Sequence, residues 1–186
     1  MNKPRWADKT PNYFTHLDFI DEVFEGRVSW VFLLRSPLDT VQSLFDSFVP
    51  YGILDPDIRE VALEYGHSRP AFARYWVTVN ERIELFATAH PERCHFLKYE
   101  DVVARPEETL ATMFRFVGEE LPPNLVETAF AAHHDVGMQD RKILDTKSIQ
   151  KDRVARWKGW PEGETRAVCE IVGATAKRLG YELPFT

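Results

Sequence analysis

Apolar and polar residues alternate along the chain with two different periods. Between Tyr13 and Phe24 the apolar residues recur every three or four positions, which predicts a helix that ends before Gly26. Val28–Leu34 is instead a continuous apolar run, rich in β-branched and aromatic residues, and it predicts a strand buried on both faces. A helix followed at once by a strand is typical of an α/β protein.

The same pattern predicts several more helices and one more strand. The helices cover Pro37–Phe48, Pro70–Ala89, Arg105–Gly118, Pro122–Ala132 and Glu162–Leu179, with another near Asp57–Tyr65, and the second strand covers Cys94–Tyr99. Residues 135–153 are polar and irregular. The expected fold is α/β, with few parallel strands flanked by many helices. Because two strands are too few for a stable open sheet, we expect the missing strands to lie upstream of Met1, outside this chain.

Length, charge and cysteine content narrow the class of protein. The 186 residues, 44% of them hydrophobic, suffice for a single domain over residues 1–186. A net charge of -6 argues against a nucleic-acid binder, so a bound anion would be held by a few placed cations. No stretch approaches the roughly 20 apolar residues of a membrane span, and the N-terminus lacks the apolar core of a signal peptide. We therefore expect a cytoplasmic protein with no membrane partner, in which Cys94 and Cys169 are buried free thiols.

The first predicted strand is followed by an arginine, and a helix is predicted to begin directly after that arginine. Arg35 follows Leu34, Ser36 suits the N-cap and Pro37 suits the first helical position. The carboxyl end of a parallel strand is where open α/β sheets bind ligands. Ser43 lies eight residues after Arg35, a little over two helical turns along. A guanidinium and a hydroxyl near a helix N-terminus favour a phosphate ligand.

Four sequence blocks, taken in order, resemble the sulfotransferase superfamily. The blocks are Lys9-Thr10-Pro11, Phe32-Leu33-Leu34-Arg35-Ser36-Pro37 with Ser43, Tyr99-Glu100-Asp101 with a helix running to Gly118, and Arg156-Trp157. The spacings, 26 positions from Lys9 to Arg35 and eight from Arg35 to Ser43, are similar to the bacterial and tyrosylprotein-type branch. The resemblance implies a partial P-loop-like sulfotransferase fold. It also implies the donor 3′-phosphoadenosine-5′-phosphosulfate (PAPS) and its product 3′,5′-adenosine bisphosphate (PAP).

The resemblance assigns roles to particular residues. Arg35 and Ser43 would bind the 3′-phosphate of PAPS, and Lys9 would reach the bridging or sulfuryl oxygens as the catalytic cation. Arg156 would contact the cofactor from a flexible loop. The remaining candidates lie in or beside that loop: Trp157, which would pack beside the adenine or anchor the following helix, and the weaker candidates Lys142 and Ser148.

The resemblance leaves the general base unassigned. The cytosolic branch places its catalytic histidine two residues after the matched lysine, and here that position is Pro11. Glu100 and Asp101 fall in a segment that is mainly structural in the family. None of the six histidines lies in a motif that identifies it as the base.

The sequence contains no Gly-rich or Ser/Thr-rich lysine loop of the kind that grips the 5′-phosphosulfate in the family. In the family that loop precedes the Lys-Thr-Pro block, and here only eight residues precede Lys9. We therefore interpret the chain as an N-terminally truncated sulfotransferase domain, from a fragment or a truncated reading frame, or as a degenerate member without the loop. We expect little or no turnover from this chain by itself. The implied reaction transfers a sulfuryl group to a hydroxyl or amine of a small-molecule or carrier-bound acceptor. With the residues for the 3′-phosphate but not the loop for the 5′-phosphosulfate, this chain would bind PAP weakly.

Three other functions remain open. A nucleotide or sugar kinase would need a Walker-type loop, which the sequence lacks. A fucosyl-type glycosyltransferase would bind a nucleotide sugar through its arginines. A module that binds a partner without catalysis would use the sheet edge left by missing strands, and that edge also predicts self-association.

Overall fold

The two strands pair in parallel at the centre of the fold. This computed structural model describes residues 5–51, 60, 63–66, 68–131, 148–150 and 153–185. Strand β1 (Trp30–Leu34) lies beside β2 (Cys94–Lys98), with Trp30 opposite Cys94 and Leu34 opposite Lys98. Because the strands are parallel, the residues that follow them, Arg35 and Tyr99, leave the sheet at the same edge. The predicted α/β fold class is confirmed.

Helices make up most of the remaining described chain. They are α1 (Leu17–Val23), α2 (Pro37–Tyr51), α3 (Arg69–Ala89), α4 (Tyr99–Ala104), α5 (Pro106–Phe116), α6 (Leu125–Ala131) and α7 (Glu162–Arg178), with 3₁₀ helices at Pro11–Thr15, Pro91–Arg93 and Arg156–Gly159. None of the described helices is both long enough and apolar enough to cross a membrane. Most of the helix predicted near 57–65, and the irregular segment predicted from 135 up to 147, lie outside the described residues.

The prediction that β1 is buried on both faces is wrong. Trp30, Phe32 and Leu34 are buried, but Val31 and Leu33 are 37% and 58% exposed. The inner face packs on α3, where the Trp30 ring meets Phe86 edge-on at 5.3 Å. On the outer face α5 packs against β2 and leaves these two β1 side chains accessible.

One predicted helix and one predicted strand have different boundaries in the structure. The helix expected over Tyr13–Phe24 changes from 3₁₀ to α at His16, and its end at Gly26 has the left-handed φ of +69° that favours glycine. The strand predicted to include Tyr99 ends one residue earlier, and α4 occupies Tyr99–Ala104. Arg105 then leaves the helical conformation (φ -142°, ψ 65°), which a residue before proline disfavours, and α5 begins at Pro106.

The main core is formed by α2, α3 and α7. Its most buried members come from all three helices: Leu38, Val41, Phe72, Trp76, Val168 and Val172. This cluster fixes α2 against α3, and therefore fixes the residues at the N-terminus of α2 relative to the sheet. The segment Arg156–Gly159 packs on the same cluster through Trp157.

Candidate functional site

Arg35 lies where β1 ends, half-buried against the end of β2. Its guanidinium carbon is 4.7 Å from the centre of the Tyr99 ring, a cation–π contact. Its Nη2 donates to the backbone carbonyl of Arg153 at 2.6 Å. Its Nε is buried and has no hydrogen-bond partner among the described residues. The side chain is therefore held in place while part of its hydrogen-bonding capacity is unused.

The backbone of Arg35 is tied to the core. Its carbonyl accepts a hydrogen bond from Nε1 of Trp76, 3.2 Å away, and Trp76 is buried in α3. The Thr40 hydroxyl is 3.5 Å from the same carbonyl. The position of the arginine is thus set by the core and not by its own side chain alone.

Glu100 closes the N-terminus of α2. Its Oε1 accepts a hydrogen bond from the Ser36 N–H at 2.8 Å, while the Ser36 carbonyl accepts the first helical bond from Thr40 at 2.9 Å. A carboxylate suits this position because helix N-termini carry unpaired N–H groups and a partial positive charge. The contact agrees with the structural role expected for this glutamate.

Tyr181 meets Glu100 from the other side. Its hydroxyl is 3.5 Å from Oε2 of the glutamate, and its ring packs edge-on against Trp76 at 6.4 Å. Burial, and then the negative charge of Glu100, raise the pKa of the Tyr181 phenol well above its usual range. The tyrosine therefore stays protonated and can donate to the carboxylate.

Asp39 attaches the C-terminal loop to α2. Its side chain is 3% exposed, and its two oxygens accept hydrogen bonds from the backbone N–H groups of Ala155 at 2.8 Å and Arg156 at 2.9 Å. Ala155 has a left-handed backbone with φ +62°. The loop that carries Arg156 is consequently bound at one defined point of the helix.

The Arg156 side chain extends along the same helix to Asp46. Nη2 and Oδ2 are 2.9 Å apart, an ion-pair distance, although their angle does not form a hydrogen bond. Asp39, Ser43 and Asp46 are spaced four and three residues apart and so share one face of α2. The fold therefore brings Arg156 to the helix face that contains Ser43, with Arg35 at the N-terminal end of that helix.

The two tryptophans of the loop have packing roles. Trp157 packs against the core cluster, as expected if it anchors the following helix. A contact between Trp157 and the adenine stays a prediction. Trp160 donates from Nε1 to Gln42 Oε1, and Gln42 donates from Nε2 to Asp46 at 2.5 Å. These contacts place the loop along nearly two turns of α2.

Lys9 is exposed in the segment before the first 3₁₀ helix. The 3₁₀ helix that follows it packs on α3, where the Phe14 ring meets Tyr75 edge-on at 6.1 Å. Ser148 is exposed, and its backbone carbonyl accepts a local hydrogen bond from Gln150 at 3.1 Å. Lys142 lies outside the described residues. The assigned roles of all three stay predictions.

Sequence reasoning did not find Asp39 or Asp46. An aspartate in the first turn of a helix is ordinarily assigned to the helix dipole, which hides its contact with residues far along the chain. Their spacing around Ser43 on one helix face was the available signal.

Among the described residues, no group of three His, Cys, Asp or Glu side chains is arranged to hold a metal ion.

Comparisons with known proteins agree on one family and one fold. A family model described as the sulfotransferase family matches residues 1–123. The sulfotransferase domain from the curacin biosynthetic pathway is 21% identical with a TM-score of 0.66, and the match covers 97% of this chain and 64% of that one. The sulfotransferase domain from the Synechococcus PCC 7002 olefin synthase is 19% identical with a TM-score of 0.65, over 95% and 58%. The chain thus spans less than two thirds of either solved structure, and no curated protein matches it.

Proposed function

Because the chain belongs to the sulfotransferase family, we propose that it binds PAPS as the sulfuryl donor of a transfer reaction. The acceptor is a hydroxyl or amine on a small molecule or on a carrier. When bound, PAPS supplies an activated sulfuryl group whose leaving group is a phosphate. The residues of this chain bind and orient that donor.

The observation that carries the proposal is the placement of Arg35. Its guanidinium is half-buried at the carboxyl end of β1, has a buried Nε without a partner in the described part of the chain, and stands at the start of the helix that contains Ser43. A planar guanidinium with free donors suits a phosphate dianion. The Ser36 N–H already donates to Glu100, so this proposal depends on side chains and not on the amides of the helix.

Arg156 and Ser43 complete the proposed 3′-phosphate site. Arg156 is held against α2 by its backbone, and within the described residues its side chain forms a partly exposed ion pair with Asp46. The Asp39 carboxylate on the same face is occupied by two backbone N–H groups. In the proposed site, Arg35 and Arg156 are therefore the cations that bind the 3′-phosphate.

Lys9 is assigned to the opposite end of the donor. An exposed ammonium just before the 3₁₀ helix that packs on α3 suits the charge that develops on the leaving phosphate. Trp157 near the adenine, and Lys142 and Ser148 in the preceding loop, are further proposed contacts. Because the sequence has no lysine loop for the 5′-phosphosulfate, we expect this chain by itself to bind nucleotide weakly and to turn over little.

Isothermal titration calorimetry with PAP tests the proposal. We expect PAP to bind more tightly than GDP-fucose or ATP with magnesium, and Arg35→Ala to weaken PAP binding at least about tenfold, as for a lost hydrogen bond to a charged group. Arg27→Ala is the matched control, because Arg27 precedes the same strand and is exposed at its other end. Equal PAP binding by the Arg35 and Arg27 variants would contradict the site. Preferred binding of GDP-fucose would favour a glycosyltransferase, and no nucleotide binding would favour an interaction module.

A further inference from the structure

Asp39 is a buried carboxylate whose hydrogen bonds serve a distant segment. Its 3% exposure would be costly without partners, because a buried charge must be hydrogen-bonded. The partners are the N–H groups of two consecutive residues, Ala155 and Arg156, at 2.8 and 2.9 Å. These residues follow Asp39 by 116 and 117 positions in sequence.

The loop is shaped to receive this carboxylate. Two successive N–H groups converge on one anion when a left-handed residue lies between right-handed or extended neighbours. Ala155 has this left-handed conformation at φ +62°, although alanine disfavours it. The unfavourable backbone of Ala155 is offset by the two bonds to Asp39. The carboxylate therefore fixes both the position and the conformation of the loop at the residue that carries the Arg156 side chain.

We propose that Asp39 is a positioning residue for nucleotide binding: by anchoring the Ala155–Arg156 backbone to α2, it holds the Arg156 guanidinium where the 3′-phosphate binds. This inference rests on the proposed function, since it needs Arg156 to contact the nucleotide. Asp39 itself does not contact the ligand. It acts through the loop, because both of its oxygens are engaged by loop N–H groups.

Substitution of Asp39 by asparagine separates anchoring from helix stability. Asparagine has the same size but only one acceptor oxygen, so one of the two loop N–H groups would face an amide NH₂. We expect Asp39→Asn to weaken PAP binding roughly tenfold, the effect of one lost hydrogen bond to a charged group. Asp18→Asn is the matched control, since Asp18 is an exposed acid in the first turn of α1.

A double-mutant cycle distinguishes positioning from a general structural effect. If Asp39 acts through Arg156, Asp39→Asn will change PAP affinity less than about twofold in an Arg156→Ala background, but will keep its full effect in an Arg35→Ala background. A structural defect would weaken binding equally in both backgrounds. Equal losses in the two backgrounds, or unchanged PAP affinity of Asp39→Asn, would overturn the proposal.

Limited trypsin digestion gives a readout that does not need nucleotide. We expect Asp39→Asn to be cut faster after Arg156 and Lys158 than the wild-type chain and Asp18→Asn, in buffer without denaturant where circular dichroism shows all three to be folded. Unchanged cleavage would overturn the anchoring step. Faster cleavage without any PAP binding by the wild-type chain would contradict the proposed function and keep the anchor.

A loop-side substitution covers the case in which Asp39→Asn does not fold. Ala155→Pro removes one of the two N–H groups and forbids the left-handed φ without altering α2. We expect it to reproduce the faster cleavage and the weaker PAP binding, and Ala155→Gly to show neither, because glycine adopts this φ freely. PAP binding by Ala155→Pro at the wild-type affinity would overturn the proposal.

Discussion

The Glu100 carboxylate and the Ser36 N–H are 2.8 Å apart and join the ends of the two strands. Ser36 is the second residue after β1, and Glu100 is the second residue after β2. The bond therefore crosses the edge of the sheet next to Arg35, which lies between Leu34 and Ser36. Glu100 is therefore a structural acceptor beside the candidate site.

This bond predicts a loss of stability when Glu100 is replaced. Glu100→Gln keeps an acceptor but loses the charge at the helix N-terminus, and we expect it to lower the free energy of unfolding by roughly 1 kcal/mol. Glu100→Ala leaves the Ser36 N–H without this partner and should cost about 2 kcal/mol. Urea unfolding measures both, with the exposed Glu120→Ala as the control. A Glu100→Ala variant as stable as Glu120→Ala would contradict the prediction.

Tyr181 predicts a pH dependence of stability at the same place. Its folded pKa is raised, first by burial and then by the charge of Glu100, so the protonated phenol stabilises the fold. That contribution is complete below the unfolded pKa of about 10 and is lost as the pH rises above it. Tyr181→Phe does not ionise, so its stability relative to wild type should rise by about 1 kcal/mol between pH 8 and pH 11. If wild type and Tyr181→Phe lose the same stability between pH 8 and pH 11, the ionisation of Tyr181 does not contribute to the pH dependence.

Asp46 forms an ion pair with Arg156, and in the proposed site this pair would compete with a bound phosphate. Removing its charge in Asp46→Asn frees the guanidinium and lowers the negative potential beside Ser43, while an oxygen remains for Gln42. Because partly exposed ion pairs contribute up to about 1 kcal/mol, we expect PAP binding to become roughly two- to fivefold tighter at low salt. The gain should fall at high salt, where exposed charges are screened. Weaker binding by Asp46→Asn would mean that Asp46 supports the site.

Lys9 is expected to act on the 5′ side of the nucleotide. The wild-type chain should prefer PAP to adenosine 3′-monophosphate, which lacks the 5′-phosphate. Lys9→Ala should remove most of this preference, about tenfold or less, because it deletes one charged contact. Calorimetry with both nucleotides measures the ratio, and the exposed Lys177→Ala provides the control. An unchanged ratio in Lys9→Ala would exclude this lysine from the 5′ side.

The local pattern of the sequence was enough to predict the strand that ends at Arg35 and the helix that begins at Pro37. An apolar run followed by Ser and Pro is governed by short-range rules of burial and capping, and both elements are found. The exposure of Val31 and Leu33 could not be predicted in this way, because it depends on which helix covers which half of the sheet. The parallel pairing of β1 with β2 links residues 64 positions apart at every rung.

The arrangement of the candidate site depends on contacts that sequence spacing does not encode. Arg35 and Ser43 were identified from the pattern at the end of the strand and Arg156 by resemblance, whereas the Asp39 anchor joins a helix to a loop more than a hundred residues later. The buried carboxylate of Asp39 and the left-handed backbone of Ala155 identify the anchor only when their contact in the folded structure is known. The residues that hold the site are therefore less visible in the sequence than the residues proposed to bind the ligand.

A comparison of PAP with 5′-AMP, which lacks the 3′-phosphate, isolates the contribution of the phosphate that we assign to Arg35. Calorimetry of the wild-type chain should give a preference for PAP of about tenfold or more, because Arg35 contributes charged hydrogen bonds to the extra phosphate. In Arg35→Ala the preference for PAP should fall at least about tenfold, and any remaining preference is due to Arg156 and Ser43, while Arg27→Ala should keep the wild-type ratio. A preference for PAP that survives intact in Arg35→Ala would contradict the assignment of Arg35 to the 3′-phosphate.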